Sequence, residues 1–321
     1  MRNKKGFEFS FNWMFALIVG TVIIFLAIYG TTQLIKQERR TSDSEAGKQL
    51  GIILNPLETG IESGKISKIS FPLETKVFNR CLNEGFSLGE RAFGIQEISV
   101  ATKSGVGVEW ESPGAASNFY NKYIFSRDVI EGKEMIVFSK PFLMPYKAAD
   151  VIYLISKEEN YCFVNSPSDI ENELRKLRPE NINISADLKE CKKGSIRVCF
   201  DSSLCEINVN LEAKSVKKYG KRIYYEDDKE NALLYGAIFA DTDIYECQII
   251  RLMKRTSELA SLYAAKSISL GSKGCNSNLE QDLAYYSNVT GTLNKSNELS
   301  NIMMLSDEIW RKNDALSCKI F

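Results

Sequence analysis

The chain has 321 residues, and its 41 Lys plus Arg balance 41 Asp plus Glu, so no net field draws it to nucleic acid or an anionic surface. It contains no histidine. That removes Ser-His-Asp and Cys-His nucleophilic sites, HExxH zinc sites and His-ligated haem, and leaves Lys, Asp, Glu, Tyr and Cys as the side chains open to catalysis.

In chain order, the first feature is an uncharged run of 27 residues, Phe9 to Ile35, with Arg2, Lys4 and Lys5 before it and Lys36, Arg39 and Arg40 after it. At about 1.5 Å per residue it reaches roughly 40 Å, enough for a transmembrane helix with some tilt. Trp13 and Tyr29 fall near its two ends, where amphipathic rings anchor a span at the interfaces. A cleaved secretory signal has a shorter apolar core and small residues before the cut, whereas Ala27-Ile28-Tyr29 places a bulky ring there. Ala16 and Gly20 form a small-xxx-small pair that could bring two such helices together as a homo-oligomer. Small residues are ordinary in membrane helices, so pairing through them is the lesser reading.

Lys4-Lys5-Gly6 followed by Phe7 and an apolar helix resembles the processing site of type IV pilin and archaellin precursors. The resemblance implies cleavage between Gly6 and Phe7. The Glu usual at the fifth mature position of that family is Phe11 here, and the nearest acid, Glu8, stands at the second. The segment Phe9 to Ala16 is also similar to the start of uncharacterised archaeal single-pass membrane-anchored proteins. That likeness covers the first 35 residues and, loosely, Tyr245-Glu246-Cys247 with the helix after it. It implies an envelope location and no activity.

Beyond the span, residues 36–62 read as a helical stalk broken at Pro56, residues 63–243 as a mixed α/β domain and residues 244–321 as a C-terminal helical unit. Short apolar runs between Gly and Pro predict strands at Lys68–Phe71, Ile98–Val100, Val106–Val108, Met135–Phe138 and Val151–Ile155. Tyr161–Val164, a helix capped by Ser166 with Pro167 at its first turn and ending near Leu177, and Ile182–Ile184 form a strand-helix-strand unit. Ile196–Phe200 and Cys205–Val209 read as a hairpin, and Ile223–Tyr225 and the apolar run Leu233–Phe239 complete the mixed part. From Ile244 the period becomes helical. Tyr245, Ile249, Leu252, Thr256, Leu259 and Tyr263 form one apolar stripe, with Arg251, Lys254, Arg255 and Glu258 off it and expected in solvent. A short helix near Leu279–Tyr286 and an amphipathic helix through Leu299, Ile302, Leu305 and Ile309 follow. The fold class expected is α+β or α/β, with a mixed sheet.

All eight cysteines lie after the span: Cys81, Cys162, Cys191, Cys199, Cys205, Cys247, Cys275 and Cys318. No CxxC pair and no histidine supports a zinc site, so disulfides in an oxidising compartment are the reading that fits. Cys199 and Cys205 flank one turn and could face each other across it. Cys318 reaches Cys275 if three C-terminal helices alternate direction, or Cys247 if only two pair. Three sequons, at Asn183, Asn288 and Asn294, are acceptor sites for N-glycans outside the cytoplasm. Flanking charge is nearly balanced, so the cysteines and sequons decide the orientation expected: residues 1–8 inside, the domain outside.

No motif carries chemistry by its spacing. Asp241-Thr242-Asp243 could hold a divalent ion past a strand end, but acids at a helix start account for it. Glu226-Asp227-Asp228 reads as a solvated turn, and Lys214–Arg222 as a Lys-protected sheet edge. Ser104–Gly107 and Gly271–Gly274 are Gly-bearing turns without a phosphate-cradle pattern. With no catalytic, cofactor or metal residues to name, the expectation is a non-enzymatic envelope protein. It meets the bilayer through one helix and displays an interaction domain to a protein partner, with a minor pilin-like component as one form of it. The alternative is a tethered enzyme using carboxylates or Lys on surface glycans.

Overall fold

A computed structural model of the chain describes residues 11–53, 66–83, 93–103, 109–227 and 230–321. The expected processing site, the break at Pro56, the strand Val106–Val108, the turn Ser104–Gly107 and Asp228 lie outside these residues.

Helix α1, Phe11–Ile53, runs unbroken for 43 residues, about 65 Å at 1.5 Å per residue. Its part from Phe11 to Ile35 is long and apolar enough to cross a membrane and is 0 % buried against the protein. Within it, Thr21, Thr31 and Thr32 turn their hydroxyls back onto the carbonyls of Leu17, Ala27 and Tyr29, so these three hydroxyls are satisfied within the helix. The later part is not a free stalk. Asp43 and Leu50 are buried, Thr102 donates to Asp43 and the Ser44 hydroxyl accepts from Ala115 N at 2.8 Å. Gly47 and Gly51, one turn apart, give the close approach. A Cβ on Gly51 would overlap the Phe119 ring, and one on Gly114, across the contact, would lie 2.6 Å from Ser44 N.

The first sheet holds β1 (Ile66–Leu82), β2 (Ile95–Lys103), β3 (Ser117–Phe119), β4 (Tyr123–Phe125), β5 (Val129–Leu143) and β6 (Lys147–Ser156) in the order β3-β2-β1-β5-β6-β4. All pairs are antiparallel except β4 with β6. β3 and β4 stand at opposite ends of that order, yet residues 120–122 alone connect them. The sheet must therefore curl until its ends approach. Asn79 on β1 bonds the Ser126 hydroxyl just past β4, and Gln248 bonds both Gln96 on β2 and the Ile124 carbonyl on β4. Val77, Val100, Ile124, Ile130, Val137, Ile152 and Leu154 cluster on one face of the curl, where Ala46 and Leu50 of α1 join them.

The second sheet holds β7 (Tyr161–Val164), β8 (Ile182–Ser185), β9 (Ile196–Phe200), β10 (Ile207–Asn210), β11 (Ser215–Lys218) and β12 (Lys221–Tyr224), ordered β12-β11-β10-β9-β7-β8. The strand-helix-strand unit is present, β7 and β8 pairing in parallel around α2, Ser168–Leu177. Ser166 does not cap α2: Pro167 occupies the cap position without a side-chain bond, and the Ser166 hydroxyl is buried. The expected hairpin is also corrected. β9 and β10 are parallel, because residues 201–206 double back, with Asp201 N bonded to Val209 O and Cys199 bonded to Cys205.

The run Leu233–Phe239 lies in a helix, α3 (Ala232–Phe239), every residue of which is buried. Apolar on all sides, it sits between the two sheets, Phe239 lying 5.9 Å from Phe138 and 6.2 Å from Tyr153 on one side, and 5.2 Å from Tyr161 on the other. Three C-terminal helices follow: α4 (Thr242–Gly271), α5 (Glu280–Gly291) and α6 (Leu299–Asp314). Ser257 meets Ser287 and Ser267 meets Ser277, so α4 and α5 are antiparallel; Lys312 of α6 meets Asp282 of α5. The stripe Tyr245, Ile249, Leu252 and Thr256 is buried as its period predicts.

Arg251 is the main departure from that pattern. It is fully buried, not solvated, with Nε donating to Phe93 O, Nη1 to Lys122 O and Gln248 Oε1, and Nη2 to Tyr120 O and Phe119 O. Lys254 and Arg255 are likewise part-buried on the carbonyls of Asn83 and Ala148, whereas Glu258 is exposed as expected. These cations belong to the seam between the ends of the curled sheet, where strand-end carbonyls need donors.

Two outcomes follow from this packing. Gly51→Val should lower the thermal midpoint by the equivalent of about 1–3 kcal/mol through overpacking on Phe119, while Gly20→Val, at a site with nothing within 4 Å, should leave it unchanged. Arg251→Met should cost at least about 3 kcal/mol in denaturant unfolding, each stranded buried carbonyl contributing about 1–3 kcal/mol. Arg251→Lys should recover less than half of that, since one ammonium cannot span the same acceptors.

Candidate functional site

A concave surface in two joined parts runs along α6. One part, a cleft of about 540 Å³, is walled by Trp310, Asp307 and Asp314 of α6, by Asp227, and by Lys147 at the start of β6. Its aromatic floor is Tyr146, Tyr263 of α4 and Phe321. Their ring centroids lie 4.6 Å apart for Tyr146–Tyr263, 5.3 Å for Tyr146–Phe321 and 5.5 Å for Tyr263–Phe321. The second part, about 470 Å³, holds Glu212, Lys214, Tyr224, Glu226 and Met304, and shares Met303 and Asp307 with the first.

The walls are firmly held. Tyr146 donates its hydroxyl to Thr256 O at 2.7 Å, and Asn313 bonds Phe321 O and Ile320 N, fixing the last residues against α6. Burial raises the Tyr146 and Tyr225 hydroxyls above the ordinary tyrosine range, so neither is a base near neutral pH. Lys214 bonds both Glu226 and Asp227; burial pulls its pKa down, but the two carboxylates outweigh that and hold it above the usual lysine value. Glu226 is therefore a buried ion-pair partner and not part of a solvated turn. The cleft is lined by aromatic side chains, carboxylates and lysines.

The cysteines, the sequon asparagines, Asp241 and Asp243 lie outside the cleft, whereas Glu226, Asp227 and the sequon residue Ser296 line it. Cys81 bonds Cys247 across 166 residues, joining β1 to α4; Cys162 bonds Cys191; Cys199 bonds Cys205; and Cys275 bonds Cys318, so α6 is tied back to the end of α4. The alternative Cys247–Cys318 pairing is excluded because Cys247 is taken. Asn183, Asn288 and Asn294 are all exposed, but the hydroxyl residue of each sequon, Ser185, Thr290 or Ser296, is buried and bonded within the fold. Trp13 and Tyr29 are 60 % and 55 % exposed on α1, and Gly20 has no neighbour within 4 Å. Ala16 is exposed beside it. Asp241 and Asp243 do not converge: Asp241 accepts from Asp128 N at 2.9 Å, while Asp243 pairs with Lys221.

Within Lys214–Arg222, β12 is the sheet edge and Lys217, Lys221 and Arg222 are exposed as expected. Lys218 is not: it is buried, and its ammonium donates to the carbonyls of Ala237, Ile238 and Ala240 at the C-terminal end of α3. Nothing in the sequence distinguishes it from its neighbours, because the acceptor is a helix end contributed by tertiary packing. The cleft leaves no mark in the sequence for the same reason, its aromatic floor being drawn from three separate segments. No protein-family model matches this chain, and comparison with curated proteins and with solved structures gives no match.

Burial pushes Lys218 down to about 7, against the pull of Asp241. Unfolded lysine titrates near about 10.4, so between these values the unfolded chain carries a proton that the folded one lacks, and stability from this group rises with pH. The thermal midpoint of the native protein relative to Lys218→Met should therefore climb from about pH 7 toward pH 10 and be flat below 7.

Proposed function

We propose that this chain is a single-pass membrane protein that displays an interaction domain on the extracytoplasmic side, its N-terminus inside. The observation that carries the reading is the continuity of α1. Its apolar part is wholly unburied, and the same helix then docks on a domain cross-linked by four disulfides. Burying such a face in lipid removes it from water, and disulfides persist mainly in oxidising compartments. At 1.5 Å per residue the rise from Ile35 to Asp43 is about 12 Å, which would hold the domain close to the membrane surface. The finer proposal is a minor pilin-like component, supported by the resemblance at Lys4-Lys5-Gly6-Phe7 alone. The protein's work in this reading is recognition of an envelope partner.

Mass spectrometry of the protein taken from its native membrane, with and without reduction, tests both forms. Eight cysteines in four disulfides should give a gain of eight hydrogen atoms on reduction. Free thiols in the unreduced protein would place the domain in the cytoplasm. A chain beginning at Phe7 supports pilin-like processing, and an intact peptide from Met1 removes it.

A further inference from the structure

We propose that the cleft along α6 binds a neutral oligosaccharide. A sugar ring offers an apolar C–H face and a rim of hydroxyls that donate and accept hydrogen bonds. The cleft supplies the complement of both. Half-buried Tyr263 and Phe321, packed tilted and edge-on against the buried Tyr146, give the cleft aromatic surface, and Trp310, 37 % exposed, stands at its side. Asp307 lines both parts of the cleft, is exposed, and forms no ion pair among the described residues, so its oxygens are open to hydroxyl donors.

Charge then narrows the class. Asp314 is paired with Lys319 and Asp227 with Lys214, while Glu212 and Asp307 form no ion pair among the described residues, so the groove keeps an acidic character. An anionic ligand would be repelled by these carboxylates, and a wholly apolar one would strip water from them without replacing its bonds. A volume of about 540 Å³ lies within the range of small-molecule sites. The second part, joined through Met303 and Asp307, lengthens the groove and suits a chain of sugars better than a single one. The inference deepens the proposed interaction role and rests on it only for the absence of turnover; it does not depend on which side of the membrane the domain occupies.

The test uses the full chain, purified in a detergent without a sugar headgroup. Tetra-N-acetylchitotetraose, mannotetraose and maltotetraose are titrated by calorimetry, and tryptophan emission is followed in parallel. Saturable binding of at least one, with Kd of about 10 mM or tighter, is expected, weakened at least about tenfold in Trp310→Ala and in Asp307→Asn. Both positions are exposed, and an unchanged thermal midpoint checks that each variant is folded. Asp307→Asn keeps the side-chain shape, so it reads the cleft even if Trp310→Ala perturbs α6. No binding by any of the three, or binding unaltered in both variants, overturns the proposal. Binding followed by shortening of the sugar leaves the saccharide site standing and defeats the interaction-only reading, so the two failures are distinguishable.

Discussion

The fold depends on how one curled sheet is closed. A six-stranded sheet whose ends approach without pairing leaves strand-end carbonyls facing each other across a gap, and α4 fills that gap with Arg251. A guanidinium has five N–H donors in a fixed fork, and here all five are directed at the carbonyls of Phe93, Phe119, Tyr120 and Lys122 and at Gln248 Oε1. Desolvation lowers its pKa to about 10, still far above neutrality, so the cation persists because its donors are matched. The bonding continues inward through Gln248, Gln96, Asn79 and Ser126, each satisfied by the next. The Cys81–Cys247 bridge fastens the same helix to β1. A single element thus fixes the sheet's closure and the direction of α4, and with it the place where Tyr263 enters the cleft.

α3 settles the relation between the two sheets in a different manner. It has no polar face, so it is stable only where both sides are covered, and its rings interlock with both sheets. Its C-terminal carbonyls point into the interior, where a buried helix end needs donors. Lys218 supplies them from the second sheet. The Lys140–Glu173 pair, with Tyr235 bonded to Glu173, does similar work between β5 and α2. Charges at these places specify how layers meet, because each is matched only in one arrangement.

The cleft is a consequence of these joints. α6 is held by α5, by the Cys275–Cys318 bridge and by Asn313, and the last residues fold back under it to complete the aromatic floor. Rigid walls reduce the ordering cost of binding. On the opposite flank, α1 meets the first sheet with Gly51 against the Phe119 ring and Gly114 close to the backbone at Ser44. In the proposed setting, that contact would make the orientation of the domain relative to the bilayer a property of the fold and not of a flexible linker.

Elements with a local signature are legible in the residues themselves. The apolar run, the α4 stripe, the strand-helix-strand unit and the turn at Gly271–Gly274 follow from periodicity and from Gly and Pro chemistry, which act over a few residues. The direction of β10, the helical state of Leu233–Phe239, the pairing of Cys81 with Cys247 and the burial of Arg251, Lys218 and Glu226 do not. A short apolar run is compatible with strand or buried helix, and a cation's solvation is decided by acceptors that arrive from distant segments. One long apolar helix, a mixed α/β body without histidine chemistry, and cysteines placed for bridges are thus written into the order of the residues. The cleft is a property of the folded chain, because Tyr146, Tyr263, Trp310 and Phe321 become neighbours solely through the packing of α4 and α6 against the end of β5.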